Sequence, residues 1–322
     1  MFQENRRQWI SKQGGTTLAL AATWGLGLSG CTFSADEDHD GADAPTPAEK
    51  TLSLPSGSNR LVLVLGSGGP RGFVHAGILR ALDEIGVRPA AVVGSSVGSL
   101  VGAIYAAGYT GKEIETLAIE ARTTDLGAIA LGSKERFSGK PIAQWVNRLV
   151  ADRLGSQVKT AFGSPEIQRL PTPFVAAGLR QGTQEVIGFA KGNLGVAVQA
   201  SCAIEGTFIP VKIRGQIFLD ADRVAPVPVR LARSLFGPQI RTLSVDASAH
   251  EDKAPEGAQR FRQSDLFKRA ITLPDTQTSD LNLHPFFGYW VSITEEFRRR
   301  AIEAGYRETM AQASRIIALA KA

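Results

Sequence analysis

The 322-residue chain predicts an α/β domain with a mostly parallel central sheet between helical layers, and three observations carry that prediction. Leu61-Val62-Leu63-Val64-Leu65 is an unbroken apolar run, as expected of a strand buried on both faces. It ends in Gly66-Ser67-Gly68-Gly69, and a helical stripe of Val74, Ile78, Leu82 and Ile85 follows, stopping around Gly86. Ala90-Ala91-Val92-Val93-Gly94 reads as a second buried strand, turning through Ser95-Ser96-Val97-Gly98 into a helix from Leu100 to Ala107. Strand, helix, strand and helix in such quick succession specify parallel pairing with helices on the faces.

The remaining elements follow the same logic. Pro173 to Ala177, Glu185 to Phe189 and Ile240 to Val245 read as strands, and Leu194 to Ala203 as a helix. Val211 to Leu219 reads as a hairpin ending at Asp220. The polar stretch 251–285 is expected to be a loop or lid, and one long helix is expected from about Ser292 to Lys321. There is no internal repeat.

Composition narrows the function classes. With 43% hydrophobic residues the chain can bury a core, which excludes a wholly disordered or collagen-like protein. Two cysteines, Cys31 and Cys202, exclude a disulfide scaffold and an all-cysteine zinc site. His39, His75, His250 and His284 are too dispersed for a local metal motif. The net charge of +5 is uneven: +2 over residues 1–30, −5 over 31–50 and, by difference, +8 over the rest. A mildly basic body without a Lys/Arg run suits an anionic surface better than nucleic acid.

The N-terminus reads as an address. A basic start ending at Lys12 precedes a short apolar run, Thr16 to Leu28, and then Leu28-Ser29-Gly30-Cys31. The pattern is that of a bacterial lipobox, with Cys31 as the lipidation site. Asn5-Arg6-Arg7 leaves Sec and twin-arginine export both open. Thr32 after the cysteine favours the outer membrane if the host is Gram-negative. The expected organisation is thus a signal peptide (1–30), an acidic disordered linker (31–50) and one folded domain (51–322). The protein would sit in the cell envelope, lipid-anchored and facing the periplasm.

Chemistry concentrates in the two glycine-rich turns. Gly94-Ser95-Ser96-Val97-Gly98 fits G-x-S-x-G between strand and helix, where a sharp turn lifts a serine hydroxyl clear of the sheet. Ser96 is the candidate nucleophile and Ser95 the nearest rival. The earlier turn fails as a dinucleotide fingerprint because Arg71 stands where the third glycine is required. It suits an oxyanion hole, with the N–H groups of Gly68, Gly69 and Arg71 as donors and the Arg71 guanidinium free to brace the loop or meet phosphate. Two bases compete: Asp220 acting directly on Ser96, or His250 completing a Ser96–Asp220–His250 triad. His75 is expected to pack or cap locally. Leu283 to Trp290 gathers four aromatics that could touch lipid, though core packing against the final helix is the expectation.

Together these segments resemble the bacterial patatin-like phospholipases from about Arg60 to Val229, with a weaker echo in Ala301 to Tyr306. Leu65 to Gly77 is similar to the family's oxyanion loop, Val93 to Gly102 to its nucleophile elbow, and Ala200 to Val211 to the stretch before its acid. The resemblance implies a three-layer α/β/α patatin-like fold and a Ser96–Asp220 dyad with no catalytic histidine. It also implies ester hydrolysis through an acyl-enzyme, with phospholipid or lysophospholipid as substrate and no metal or organic cofactor. There are departures: Asp220-Ala221-Asp222 replaces Asp-Gly-Gly, Glu205 stands where proline is usual, and Ser67 where glycine is common. If the lost glycines needed positive φ, Ala221 or Asp222 would be strained, and Asp222 would raise the Asp220 pKa. A patatin-like hydrolase, a triad esterase and a degenerate lipid-binding envelope lipoprotein remain open.

Overall fold

The computed structural model describes residues 37–49, 51–130, 133–155 and 163–322. Its main sheet is built from β1 (Glu37–His39), β2 (Thr46–Pro47), β3 (Leu61–Leu65), β4 (Ala91–Ser95), β7 (Phe174–Arg180), β8 (Glu185–Lys191), β9 (Val211–Ile213), β10 (Gln216–Leu219), β11 (Arg241–Val245) and β12 (Leu281–Leu283). β5 (Ala128–Ile129) and β6 (Phe137–Ser138) form a separate ribbon. The strand order is β1-β9-β10-β7-β4-β3-β11-β12, with β8 and then β2 branching from β7. From β7 to β12 every neighbour is parallel, while β7–β8, β7–β10, β9–β10 and β2–β8 are antiparallel.

The apolar run of β3 shows why two helical layers are needed. Leu61, Leu63 and Leu65 join one buried cluster, and Val62 and Val64 join another on the opposite face. The first is covered by α1 (Val74–Glu84), α2 (Val97–Ala106), α3 (Gly111–Glu120), α5 (Lys140–Leu154), α6 (Leu194–Ser201), α9 (Glu295–Ala311) and α10 (Ala313–Lys321). The second is covered by α7 (Val229–Phe236) through Val229, Ala232, Leu235 and Phe236. Between α3 and α5 lies one short turn, α4 (Thr123–Leu126). The expected α/β class and its layered, mostly parallel sheet are observed.

Three expectations are corrected. First, much of the predicted disordered linker is ordered. β1 runs parallel to β9, β2 pairs with β8, Ala44 is buried, and Asn193 donates to Asp43 Oδ2 at 3.0 Å. Composition registers the shortage of apolar surface, but open edges of β9 and β8 offer this segment backbone hydrogen bonds instead. Second, the 251–285 stretch contains α8 (Arg262–Thr276) and β12 rather than a loop. Third, the final helix is broken at Gln312 into α9 and α10. Sequence reading also passed over α3, whose Thr110–Glu113 capping box was visible as Thr-x-x-Glu. Among the described residues no helix is long and apolar enough to cross a membrane.

The sheet assembles the site by converging two strands on β7. β8 pairs β7 across residues 176–180, so β4 and β10 share the other edge. β4 ends with Ser95 opposite Ala177, and β10 arrives from the other direction, ending with Leu219 opposite Leu179. Ser96 and Asp220 are the next residues of each strand, and they meet at the level of Gly178.

Candidate active site

Ser96 occupies the elbow in strained backbone, φ 53° and ψ −126°, one of three non-glycine residues with positive φ among those described. Small neighbours enforce the turn. A Cβ on Gly98 would lie 2.2 Å from the Leu65 carbonyl oxygen, and one on Gly94 2.4 Å from that of Gly98. The strained residue is held at both ends: its N–H donates to Ser201 Oγ at 3.0 Å, and its carbonyl accepts from Ser99 Oγ at 2.7 Å. Ser96 lines two cavities, whereas the fully buried Ser95 lines neither.

The glycine-rich loop lies beside the elbow because β3 and β4 are parallel neighbours, with Leu65 in register with Gly94. Gly66 N–H donates to Val245 O at 3.0 Å and Ser67 N–H to Pro226 O at 2.8 Å, which fixes the loop's entry. Arg71 N–H donates to Gly68 O at 3.1 Å, so the expectation that it serves an oxyanion is corrected: the tight turn consumes this donor. Among the described residues no backbone acceptor engages the N–H of Gly68 or Gly69, and these remain the candidate donors. The Arg71 guanidinium is the brace. It donates to Gly288 O at 3.3 Å and to Tyr289 O, and it lies 5.6 Å from the Phe287 ring centroid.

Asp220 is 4% exposed. Its N–H donates to Ala203 O at 2.9 Å, so the 201–203 segment grips both the elbow and the acid turn. Oδ1 accepts from Asp222 N–H at 2.8 Å, while Oδ2 has no well-formed hydrogen bond. Burial, then the Asp222 charge, pushes its pKa up to about 7, with the Ser96 hydroxyl and Lys268 pulling it back. The expected Asp222 repulsion is therefore present but secondary to burial. The expected strain is absent: neither Ala221 nor Asp222 has positive φ, and Ala221–Arg223 forms a 3-10 turn capped by Asp220.

His75, His250 and His284 are occupied elsewhere. His75 is fully buried, donates from Nε2 to Gly66 O at 2.8 Å, and burial pushes its pKa down to about 4. His250 is bonded to His284 O at 3.0 Å and stacks on the His284 ring at 3.8 Å; neither imidazole lines either of the two cavities at Ser96. Cys202 is a buried free thiol whose pKa burial pushes up, which keeps it protonated. Cys31 lies outside the described residues. Among the described residues no cluster of metal-ligating side chains occurs.

The two cavities at Ser96 differ in character. One, about 270 Å³, is walled by side chains such as Phe73, Leu100, Ile104, Leu117, Trp145 and Phe208. The other, about 380 Å³, holds Asp220, Asp222, Arg71, Asp265, Lys268 and Trp290. Both are bordered by Gly69 and Ile204. Of the predicted aromatic group only Phe287 packs as core, edge-on to Phe297 of α9; Trp290 is 51% exposed at the polar cleft. Sequence reading missed Lys268 and the apolar walls. The unpaired second carboxylate, Asp222, was the signal for the lysine; the walls, drawn from five helices and several loops, left none.

Comparison with known proteins now places the chain. Residues 63–233, more than half of it, match the family described as patatin-like phospholipase. The chain belongs to that family. An uncharacterized NTE family protein of Mycobacterium tuberculosis is 31% identical over 174 residues, covering 54% of this chain and 46% of its own length. A protein named lysophospholipase NTE1 from Coccidioides immitis is 27% identical across 61% of this chain and 12% of its own length. The chain thus spans about half the mycobacterial relative and far less of the fungal one. Among solved structures, VipD from Legionella pneumophila superposes with a TM-score of 0.49 at 16% identity, over 81% of this chain and 68% of VipD.

Proposed function

We propose that this protein is a serine acyl hydrolase that cleaves ester bonds of phospholipids or lysophospholipids through a Ser96–Asp220 dyad. The observation that carries the reading is the position of Ser96, in strained backbone at the junction of an apolar cavity and a polar cleft that contains Asp220. The apolar cavity suits one acyl chain and the cleft a glycerophosphate head, with the ester between them.

In this reading the Ser96 hydroxyl attacks the ester carbonyl and passes its proton to Asp220. The tetrahedral oxyanion forms toward the Gly68 and Gly69 N–H groups at the start of a helical turn. Collapse expels the alcohol, which takes the proton back from Asp220. Water then repeats the sequence on the acyl-enzyme, releasing fatty acid and restoring Ser96. Asp220 must be ionised to accept the first proton, so kcat/KM rises with pH through about 7. The relatives named as phospholipases and lysophospholipases support the substrate class.

The experiment is fluorophosphonate labelling of the full chain, with the adduct mapped by mass spectrometry. Labelling at Ser96 that survives His250→Ala and falls with Asp220→Asn supports the dyad, and release of fatty acid from lysophosphatidylcholine then identifies the substrate. A folded wild type that takes no label removes the proposal. The lipobox at Cys31 supports a further part of it, anchorage in the cell envelope. There Cys31→Ala should abolish radiolabelled palmitate incorporation and release the protein from membranes.

A further inference from the structure

Asp222, where the resemblance implies glycine, is the centre of a charge bridge. The Asp222 carboxylate accepts from Lys268 Nζ of α8 and from Ser67 Oγ of the glycine-rich loop, both on Oδ1. Lys268 Nζ also lies 3.3 Å from Ser67 Oγ and 3.4 Å from Asp222 O. Asp222 N–H reaches back to Asp220 Oδ1. One lysine thus ties together the acid turn, the oxyanion loop and a helix lying beyond the family match.

We propose that Lys268, through Asp222, is a positioning residue that holds the Asp220 turn against the glycine-rich loop and sets the charge felt by the Asp220 carboxyl. The inference rests on the reading of Asp220 as the base. Its physical basis is that Asp222 brings a second negative charge to a buried carboxyl, which is unfavourable unless a cation accompanies it. Lys268 is that cation, and the geometry delivers it to the Asp222 oxygen that also secures Ser67.

The groups facing Asp220 are few. From its own turn comes Asp222, and from α8 comes Lys268. The elbow presents the neutral Ser96 hydroxyl, and the end of α6 the protonated Cys202 thiol. Arg71 and Asp265 border the same cleft but are engaged with Tyr289, through its carbonyl and its hydroxyl respectively. Arg223, next in the turn, pairs with Glu205. Asp222 and Lys268 therefore act on Asp220 with opposite signs.

That opposition defines the test: the pH profile of kcat/KM on p-nitrophenyl butyrate for single and double variants. Lys268→Met leaves Asp222 uncompensated and moves the acid limb up by about 1 pH unit, whereas Asp222→Asn moves it down by a similar amount. The double variant returns toward wild type, and Lys268→Arg restores the position. A role limited to packing would lower kcat in both single variants without moving the limb, or would move it in the same direction. Either result overturns the proposal. Should Lys268→Met fail to fold, Asp222→Asn must still move the limb downward. Asp220→Asn separates the two readings. Full turnover in that variant removes the base itself, while a dead Asp220→Asn with unmoved limbs elsewhere removes only the role of Lys268.

Discussion

The two halves of the site are held in opposite ways. The elbow is a local construction: strand, turn and helix lie within Ala91–Ala106, and close packing around Gly94 and Gly98 forces Ser96 into positive φ. The acid turn is relaxed, and long-range partners hold it: Ala203 on its N–H, and Lys268 and Ser67 on its second carboxylate. The contrast teaches that a serine at an elbow can be aimed by backbone strain, whereas a buried carboxyl is placed by the charges gathered around it.

Substitutions can break either half. The largest expected effect is at the elbow, where Ser96→Ala should abolish fluorophosphonate labelling and lower esterase turnover at least ~10³-fold. Gly98→Ala should follow, since its Cβ would sit within 2.2 Å of Leu65 O; loss of soluble protein or a destabilisation of about 3 kcal/mol or more in urea melts is expected. On the relaxed half, Asp220→Asn should cut turnover while making the protein more heat-stable above pH 7. The sign follows from burial. The folded-state pKa is raised from 3.8 to about 7, so the stabilisation present below 3.8 is lost as pH rises through 7. The amide escapes that loss, and the gap in Tm between variant and wild type should close toward pH 4.

Between the halves, Leu117→Trp should shrink the apolar cavity and raise KM for long-chain esters while sparing p-nitrophenyl acetate. Equal effects on both chain lengths would remove the acyl assignment. The smallest change is expected at exposed Glu205, which pairs with half-buried Arg223. Glu205→Ala should alter stability by no more than about 1 kcal/mol, measured by chemical denaturation.

The local half was the legible one. Ser96, Gly68 and Gly69 could be read from spacing because strand, turn and helix follow each other within a few residues. The buried runs of β3 and β4 gave the layered sheet for the same reason. Asp220 is a candidate through the residues around it, but its approach to Ser96 depends on β4 and β10 sharing an edge of β7, which no local pattern encodes. The Arg71 donor was misjudged because a sequence cannot show that the 3-10 turn consumes it. α8 escaped notice because it is polar overall and contains Pro274, although it carries Lys268. The order in residues 37–49 was hidden because open strand edges, not apolar burial, hold them.

Helices α1 and α9 cross almost backbone to backbone. A Cβ on Gly77 would fall 1.7 Å from Ile302 O, and one on Gly305 would fall 2.3 Å from Val74 O. α1 begins directly after the glycine-rich turn, so the loop's far end is clamped by a helix more than sixty residues past the last family-matched position. For anyone cutting a minimal enzyme from this chain, residue 233 is the wrong place to stop. A module trimmed there would retain every motif residue yet lose the clamp behind the loop, the lysine on its acid turn and the rim of its polar cleft. Recombination at that boundary would transplant the signature without the machine.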